Sequence, residues 1–206
     1  MNKAIILDFG AGDATMNHSE YVLGMMEKLP RDKNIIVKFQ LFSKIQGLTS
    51  LNPMVFHEAW EYGKDRGIPV TASVFDDESL RFLLDYTIPF VKIACRPTQW
   101  SMISTIPLFV PVLVSIESMK NQASISSLNM DRNLSFMCCI PEYPAKRGTY
   151  TKRFPTWALD RGISDHTTDL ELYKRHQPII WERHYGKIGP DAEHAIEFEQ
   201  LMEVIE

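Results

Sequence analysis

Eight short runs of apolar, largely β-branched residues recur along this chain, each followed by a turn and most by a stretch with helical spacing. They fall at residues 4–9, 34–39, 69–75, 90–95, 111–116, 134–139, 162–166 and 179–184. Most are continuously apolar, as parallel strands covered on both faces should be, where an exposed sheet would alternate. Between them, Ser19-Glu20 opens a run in which Val22, Leu23, Met26 and Leu29 share one face. Asn52-Pro53 reads as an N-cap followed by proline at the first helical position. Asp76-Asp77-Glu78-Ser79 places acids where a helix dipole favours them. The segment 116–134 is polar and reads as partly helical. An extended loop is expected over 145–151, and one amphipathic helix over 191–206. Eight β-then-α units predict the α/β class and a compact TIM (β/α)₈ barrel; an open doubly wound sheet usually uses only about five or six strands.

Size and charge narrow the function. With no Pro/Gly/Ser-rich linker and no repeat, residues 1–206 are expected to form a single domain. A net charge of −4 and a pI near 5.9 argue against nucleic acid and anionic membrane as partners. The one basic cluster, Lys146, Arg147, Lys152 and Arg153, reads as a solvated loop. The apolar run after Met1-Asn2-Lys3 is too short for a signal peptide, and nothing approaches the roughly 18 apolar residues of a membrane span. Three cysteines, Cys95, Cys138 and Cys139, are an odd number without CxxC spacing, which suggests free thiols and a cytoplasmic location.

In a parallel α/β barrel the loops after the strands open together at one face, so chemistry gathers at the strand ends. Those ends carry Asp8, Lys38 with Gln40, Ser73, Lys92, Ser115, Tyr143, Ser164 with Asp165-His166, and Glu182 with His184. A lysine inside an apolar strand is costly unless it meets an anion, although a lysine at a barrel rim can also snorkel to water. Lys38 and Lys92 beside Ser73, Ser115 and Ser164 form the donor set that a phosphate or carboxylate needs. His166 and His184 come from consecutive strands and could share one metal ion or be ordinary polar-core histidines. Asp165, Glu182 and Asp8 could orient their rings. His18, His57, His176 and His194 fall in loops or helices and receive no ligand role.

Several segments in order resemble the sialic acid (N-acetylneuraminate) synthase family, which includes the pseudaminic and legionaminic acid synthases. They are Val37-Lys38-Phe39-Gln40, Val91-Lys92-Ile93-Ala94, Pro111-Val112-Leu113-Val114-Ser115, Glu142-Tyr143-Pro144, Gly162-Ile163-Ser164-Asp165-His166-Thr167, Glu182-Arg183-His184-Tyr185 and Gly189-Pro190-Asp191. The resemblance implies a transferase of carbohydrate biosynthesis that condenses phosphoenolpyruvate with an N-acylated aldose sugar to a nine-carbon 2-keto sugar acid. It implies manganese, with magnesium or cobalt as alternatives, on His166 and His184. Lys38, Gln40, Ser73, Lys92, Ser115 and Ser164 would bind phosphoenolpyruvate, Tyr143 and Asp191 would contact the sugar, and Asp8 would stand with the two histidines as a catalytic residue.

The chain departs from the family pattern in places. A KIASGE-like strand end reads Lys92-Ile93-Ala94-Cys95-Arg96-Pro97, Glu117 stands where a glycine is expected, and Asp8 replaces a glutamate. The C-terminal antifreeze-like domain typical of the family is expected to be absent. Those members pair through that domain, so the oligomeric state stays open, a homodimer included. The departures leave two other functions in view: another metal-dependent barrel aldolase or lyase, and a non-catalytic barrel that binds without turning over.

Overall fold

The computed structural model describes residues 3–31, 34–45, 47–186 and 192–205. Eight parallel strands close into a barrel in chain order: β1 (Ala4–Gly10), β2 (Ile35–Leu41), β3 (Val70–Val74), β4 (Val91–Ile93), β5 (Val112–Ile116), β6 (Leu134–Cys139), β7 (Gly162–Asp165) and β8 (Ile180–His184). Each pairs with its sequence neighbour, and β8 returns to β1 through Ala4↔Ile180 to Asp8↔His184. The expected barrel and its strands are therefore present.

The helices form for the local reasons the sequence supplies. In α1 (Ser19–Glu27), Val22 and Met26 are buried, and Leu29 is buried just beyond the helix end. Before α2 (Pro53–Arg66), Asn52 accepts from the Met54 amide at 3.0 Å, capping an otherwise orphaned donor. Before α3 (Asp77–Leu84), Asp76 accepts from the Ser79 amide and hydroxyl and from the Ser43 amide, tying the helix to the end of β2. The connection after β4 is a 3₁₀ segment (Pro97–Thr105), and α4 (Met119–Leu128) fills the polar 116–134 stretch.

Two expectations fail locally. The segment read as an extended loop carries α5 (Arg147–Arg153), followed by α6 (Thr156–Leu159). Its anchor is Tyr150, fully buried, whose hydroxyl donates to the Ser164 carbonyl at 2.7 Å and accepts from the His166 amide at 3.2 Å. One buried aromatic thus fixes a helix that its polar neighbours hide. After α7 (Glu171–His176), the described part of the expected final helix breaks into a 3₁₀ turn (Ala192–His194) and α8 (Phe198–Ile205). Ile196 forms an isolated bridge with Tyr185 and so interrupts the helix.

Side chains two residues apart on a strand share a face, and this sets the interior in layers. Ile6, Leu113 and Met137, with Ile36, Phe90 and Ile180 against them, form a small apolar cluster separate from the main core. Two residues further along the same strands stand Asp8, Ser115, Cys139, Lys38, Lys92 and Glu182. The opposite parity faces the helices. There Asp165 accepts from Arg183 at 2.9 Å, from the Trp181 indole at 3.1 Å and from Thr167, a buried network joining β7 to β8. Asp165 therefore does not orient His166, contrary to the sequence expectation: neighbours on a strand point to opposite faces.

No helix among the described residues is long and apolar enough to cross a membrane. The Asp165 network yields a stability prediction. Asp165→Ala leaves the Arg183 charge buried and uncompensated, and is expected to cost about 3–5 kcal/mol in denaturant unfolding. Asp165→Leu combined with Arg183→Met should recover most of that, and a single-variant loss within experimental error would refute the account.

Candidate active site

The polar layer opens into a cavity of about 170 Å³ at the C-terminal ends of the strands. Its lining includes Asp8, Lys38, Gln40, Ser73, Lys92, Ser115, Tyr143, Ser164, His166 and His184. All but one of the expected site residues are thus brought together; Asp191 lies outside the described residues.

On the β1–β3 side, the Lys38 ammonium lies 2.7 Å from Asp8 Oδ2 and donates to Ser73 Oγ at 3.0 Å. Asp8 Oδ2 also accepts from Gln40 Nε2 at 3.0 Å, and Oδ1 accepts from the Gly10 amide at 3.0 Å. The register between β1 and β2 shifts between Asp8 and Gly10, and Gly10 takes φ +81°, a left-handed conformation that favours glycine. Burial alone would raise the Asp8 carboxyl, but the charges of Lys38 and His184 and the hydrogen bonds from Lys38 and Gln40 hold it well below the usual carboxylate range. Asp8 is therefore a fixed anion.

On the β4–β8 side, Lys92 donates to Ser115 Oγ at 2.7 Å and lies 3.7 Å from Glu182 Oε2. Glu182 Oε1 accepts from Ser164 Oγ at 3.0 Å, while Oε2 has no hydrogen-bond partner within the protein. The sequence reading placed Glu182 only as a helper of the histidines; its contacts are with Lys92 and Ser164 instead. Its parity with His184, two residues away on β8, was the signal for an inward position.

The two histidines sit together above this layer, ring centroids 5.8 Å apart. His166 Nδ1 lies 2.8 Å from the Ile140 carbonyl, which can only accept, so the proton resides on Nδ1 and Nε2 keeps its lone pair. Nε2 lies 3.5 Å from Ser164 Oγ. Burial, with His184 nearby, pushes His166 down to about 3, so the ring is neutral at physiological pH. His184 Nδ1 lies 3.4 Å from Asp8 Oδ2. A neutral imidazole held by a carbonyl and a second held by a carboxylate match the outer-shell pattern of metal-binding histidines, so the donor set fits a divalent cation. Among the described residues no group of three or more His, Cys, Asp or Glu side chains is gathered to hold a metal.

Tyr143 stacks on His166 at 4.2 Å between centroids and is about half exposed at the mouth. His194, given no role from sequence, is buried, with its ring 5.4 Å from that of His184 and 5.1 Å from that of Tyr143. Its place in a short turn after the last strand left no periodic signal to find it. Arg96 also lines the cavity, its guanidinium 5.2 Å from the centre of the Phe75 ring.

Comparison with known proteins follows the same lines. The family model described as the NeuB family matches residues 33–206. No curated protein matches the chain. Among solved structures, the chain is similar to an N-acetylneuraminic acid (sialic acid) synthetase from Leptospira borgpetersenii serovar Hardjo-bovis, crystallised with citrate. The TM-score is 0.72 at 20% identity, covering 100% of this chain and 82% of that one. A spore coat polysaccharide biosynthesis protein from Bacillus subtilis gives a TM-score of 0.74 at 15% identity, covering 99% and 66%. A phospho-2-dehydro-3-deoxyheptonate aldolase from Thermotoga maritima gives 0.67 at 12%, covering 99% and 67%. At these identities the structural likeness establishes the shared barrel.

The His166 environment predicts a pH dependence. An unfolded histidine titrates near 6.5 and His166 in the fold at about 3, so the unfolded chain binds a proton that the folded chain refuses. The neutral ring therefore stabilises the fold fully above about pH 6.5, and this is lost as pH falls toward 3. From pH 7 to pH 4.5, unfolding free energy should drop roughly 2 kcal/mol further in the natural chain than in His166→Gln. Urea titrations check it, and equal drops would refute the assignment.

Proposed function

Because the chain belongs to the NeuB family, we propose that it is a sugar-acid synthase that joins phosphoenolpyruvate to an N-acylated aldose, giving a nine-carbon 2-keto acid and inorganic phosphate with consumption of one water. The observation that carries this reading is the pair of buried ammonium–hydroxyl sets, Lys38 with Ser73 and Lys92 with Ser115, on four consecutive strands. A substrate with two anionic groups on adjacent carbons needs two such donor sets, and charge-assisted hydrogen bonds give each its strength.

Lys38, Gln40, Ser73, Lys92, Ser115 and Ser164 bind the carboxylate and phosphate. C3 of the enol attacks the aldehyde carbon, and the aldehyde oxygen takes up the electron pair. His166 and His184 would hold a divalent ion, manganese before magnesium or cobalt, which when bound supplies Lewis-acid stabilisation of that oxygen. Water then adds at C2 and the phosphate leaves with its electron pair, which the fixed ammonium groups stabilise without reorganising. Asp8, whose oxygens already accept from Lys38, Gln40 and Gly10, acts as a positioning residue: it sets Lys38 on one side and the His184 ring on the other. Tyr143, stacked on His166 at the mouth, would contact the sugar in this reading, the role that the resemblance also gives Asp191.

Phosphate release from phosphoenolpyruvate, assayed with manganese and a panel of N-acyl hexosamines, tests the reading. Release above background is expected, and silence across the panel overturns it. Lys92→Met should lower kcat/KM roughly a hundredfold or more, the scale seen when a fixed transition-state donor is removed. Manganese should bind by calorimetry to the natural chain and much more weakly to His166→Ala; unchanged binding removes His166 from the metal site.

A further inference from the structure

The lysines inside the barrel are matched by acids: Lys38 meets Asp8, and Lys92 lies beside Glu182. Arg96 lines the same cavity without such a match. Among the described residues no carboxylate pairs with its guanidinium. Two acids at neighbouring strand ends are engaged elsewhere, Asp76 by Ser43 and Ser79, and Glu117 by Arg153.

Three contacts fix where this cation stands. Arg96 follows β4 in a tight turn, its amide donating to the Ala94 carbonyl at 2.7 Å and its carbonyl accepting from the Gln99 amide at 2.8 Å. Pro97, whose ring presets φ, opens the 3₁₀ segment directly after it. The guanidinium lies over the Phe75 ring, 5.2 Å from its centre; that ring also lines the cavity and packs edge-on against Phe42. A ring against the face of a guanidinium leaves its N–H edge for an acceptor, and that planar fork suits a phosphate or a carboxylate.

Depth separates Arg96 from the donors assigned above to phosphoenolpyruvate. Lys38, Ser73, Lys92 and Ser115 are buried within their strands, whereas Arg96 is exposed past the end of β4. It also stands away from the histidines. In the closed strand order β4 lies three strands from β7 and four from β8, whose ends carry His166 and His184. An open-chain aldose whose aldehyde meets the histidines extends across the mouth toward β4.

We infer that the acceptor sugar carries an anionic group, a phosphate ester or a carboxylate, at the end away from its aldehyde, and that Arg96 binds that group. The inference rests on the function proposed above, which places the aldehyde beside the histidines. A neutral acceptor leaves the exposed guanidinium in water, whereas an anionic one gains a charge-assisted contact. The contact therefore selects between acceptors, by about tenfold to a hundredfold for one such bond.

Phosphate release with phosphoenolpyruvate and manganese is measured for three acceptors: an N-acyl hexosamine, its 6-phosphate and its 6-carboxylate. The natural chain should show kcat/KM at least roughly tenfold higher for one or both charged acceptors than for the neutral one, and the better of the two identifies the anion. In Arg96→Ala that ratio should fall to near one. Arg96→Lys, which keeps the charge without the fork, should retain part of it. Equal use of the neutral acceptor by the natural chain, or an unchanged ratio in Arg96→Ala, overturns the inference. So does a raised KM for phosphoenolpyruvate as the sole change, which assigns Arg96 to that substrate instead. Calorimetry with each charged acceptor, without phosphoenolpyruvate, reads the contact independently of turnover. Binding that weakens roughly tenfold in Arg96→Ala upholds it, and absent or unchanged binding overturns it. Silence in phosphate release across all three acceptors overturns the proposed function, while calorimetry still judges Arg96.

Discussion

The interior of an eight-stranded barrel holds side chains and little else, so a charged layer placed there must neutralise itself. In this protein two lysines and two carboxylates occupy that layer, stacked on an apolar floor. Each lysine meets one carboxylate and one serine hydroxyl, Lys38 with Asp8 and Ser73, Lys92 with Glu182 and Ser115. The backbone holds these groups at strand ends, where they cannot relax toward solvent. The result is a set of oriented donors whose desolvation is already met in the resting fold, the condition under which electrostatic stabilisation by fixed groups is largest.

Asp8 joins the two halves of this arrangement. Its strand pairs with both β2 and β8, so one carboxylate reaches Lys38 and the ring of His184. The register shift at Gly10 turns the chain so that the Gly10 amide also points back at Asp8. Gln40 donates from β2 to the same Asp8 oxygen that Lys38 and His184 approach. The positions of the His184 ring and of Lys38 are therefore set by a shared contact with Asp8, and a change in one carries into the other.

Much of this was legible in the sequence because two periodicities carry it. Continuous apolar runs marked the eight strands, and polar residues at their ends marked the cavity. What composition alone did not resolve was direction. Asp165 precedes His166 in sequence and reads as a residue that orients the histidine rings, yet the pleat sends it outward to Arg183 and Trp181. The same rule, applied residue by residue, would have moved Glu182 inward to Lys92. The helix around Tyr150 was hidden because its stability comes from one tertiary anchor and not from an apolar face. The place of His194 depends on where irregular backbone folds after β8, and no spacing in the chain encodes that.

Apart from Asp8, which lies inside β1, the departures from the family pattern lie just past the strand ends. Residues inside the strands carry the buried charges, and exchanging one leaves its partner unpaired in a dry interior, at a cost of several kcal/mol. Residues just past the strand ends meet solvent and loop backbone, where substitution is tolerated. Cys95, Arg96 and Pro97 follow β4, and Glu117 follows β5, where it pairs with Arg153 of α5 at 3.7 Å. Arg96 packs its guanidinium over Phe75 and, like Tyr143, lines the cavity. Changes at the rim can thus alter the mouth of the cavity while the charged layer beneath stays as it is. In this barrel the strands must keep buried charges matched, and the loops past their ends are not bound by that constraint.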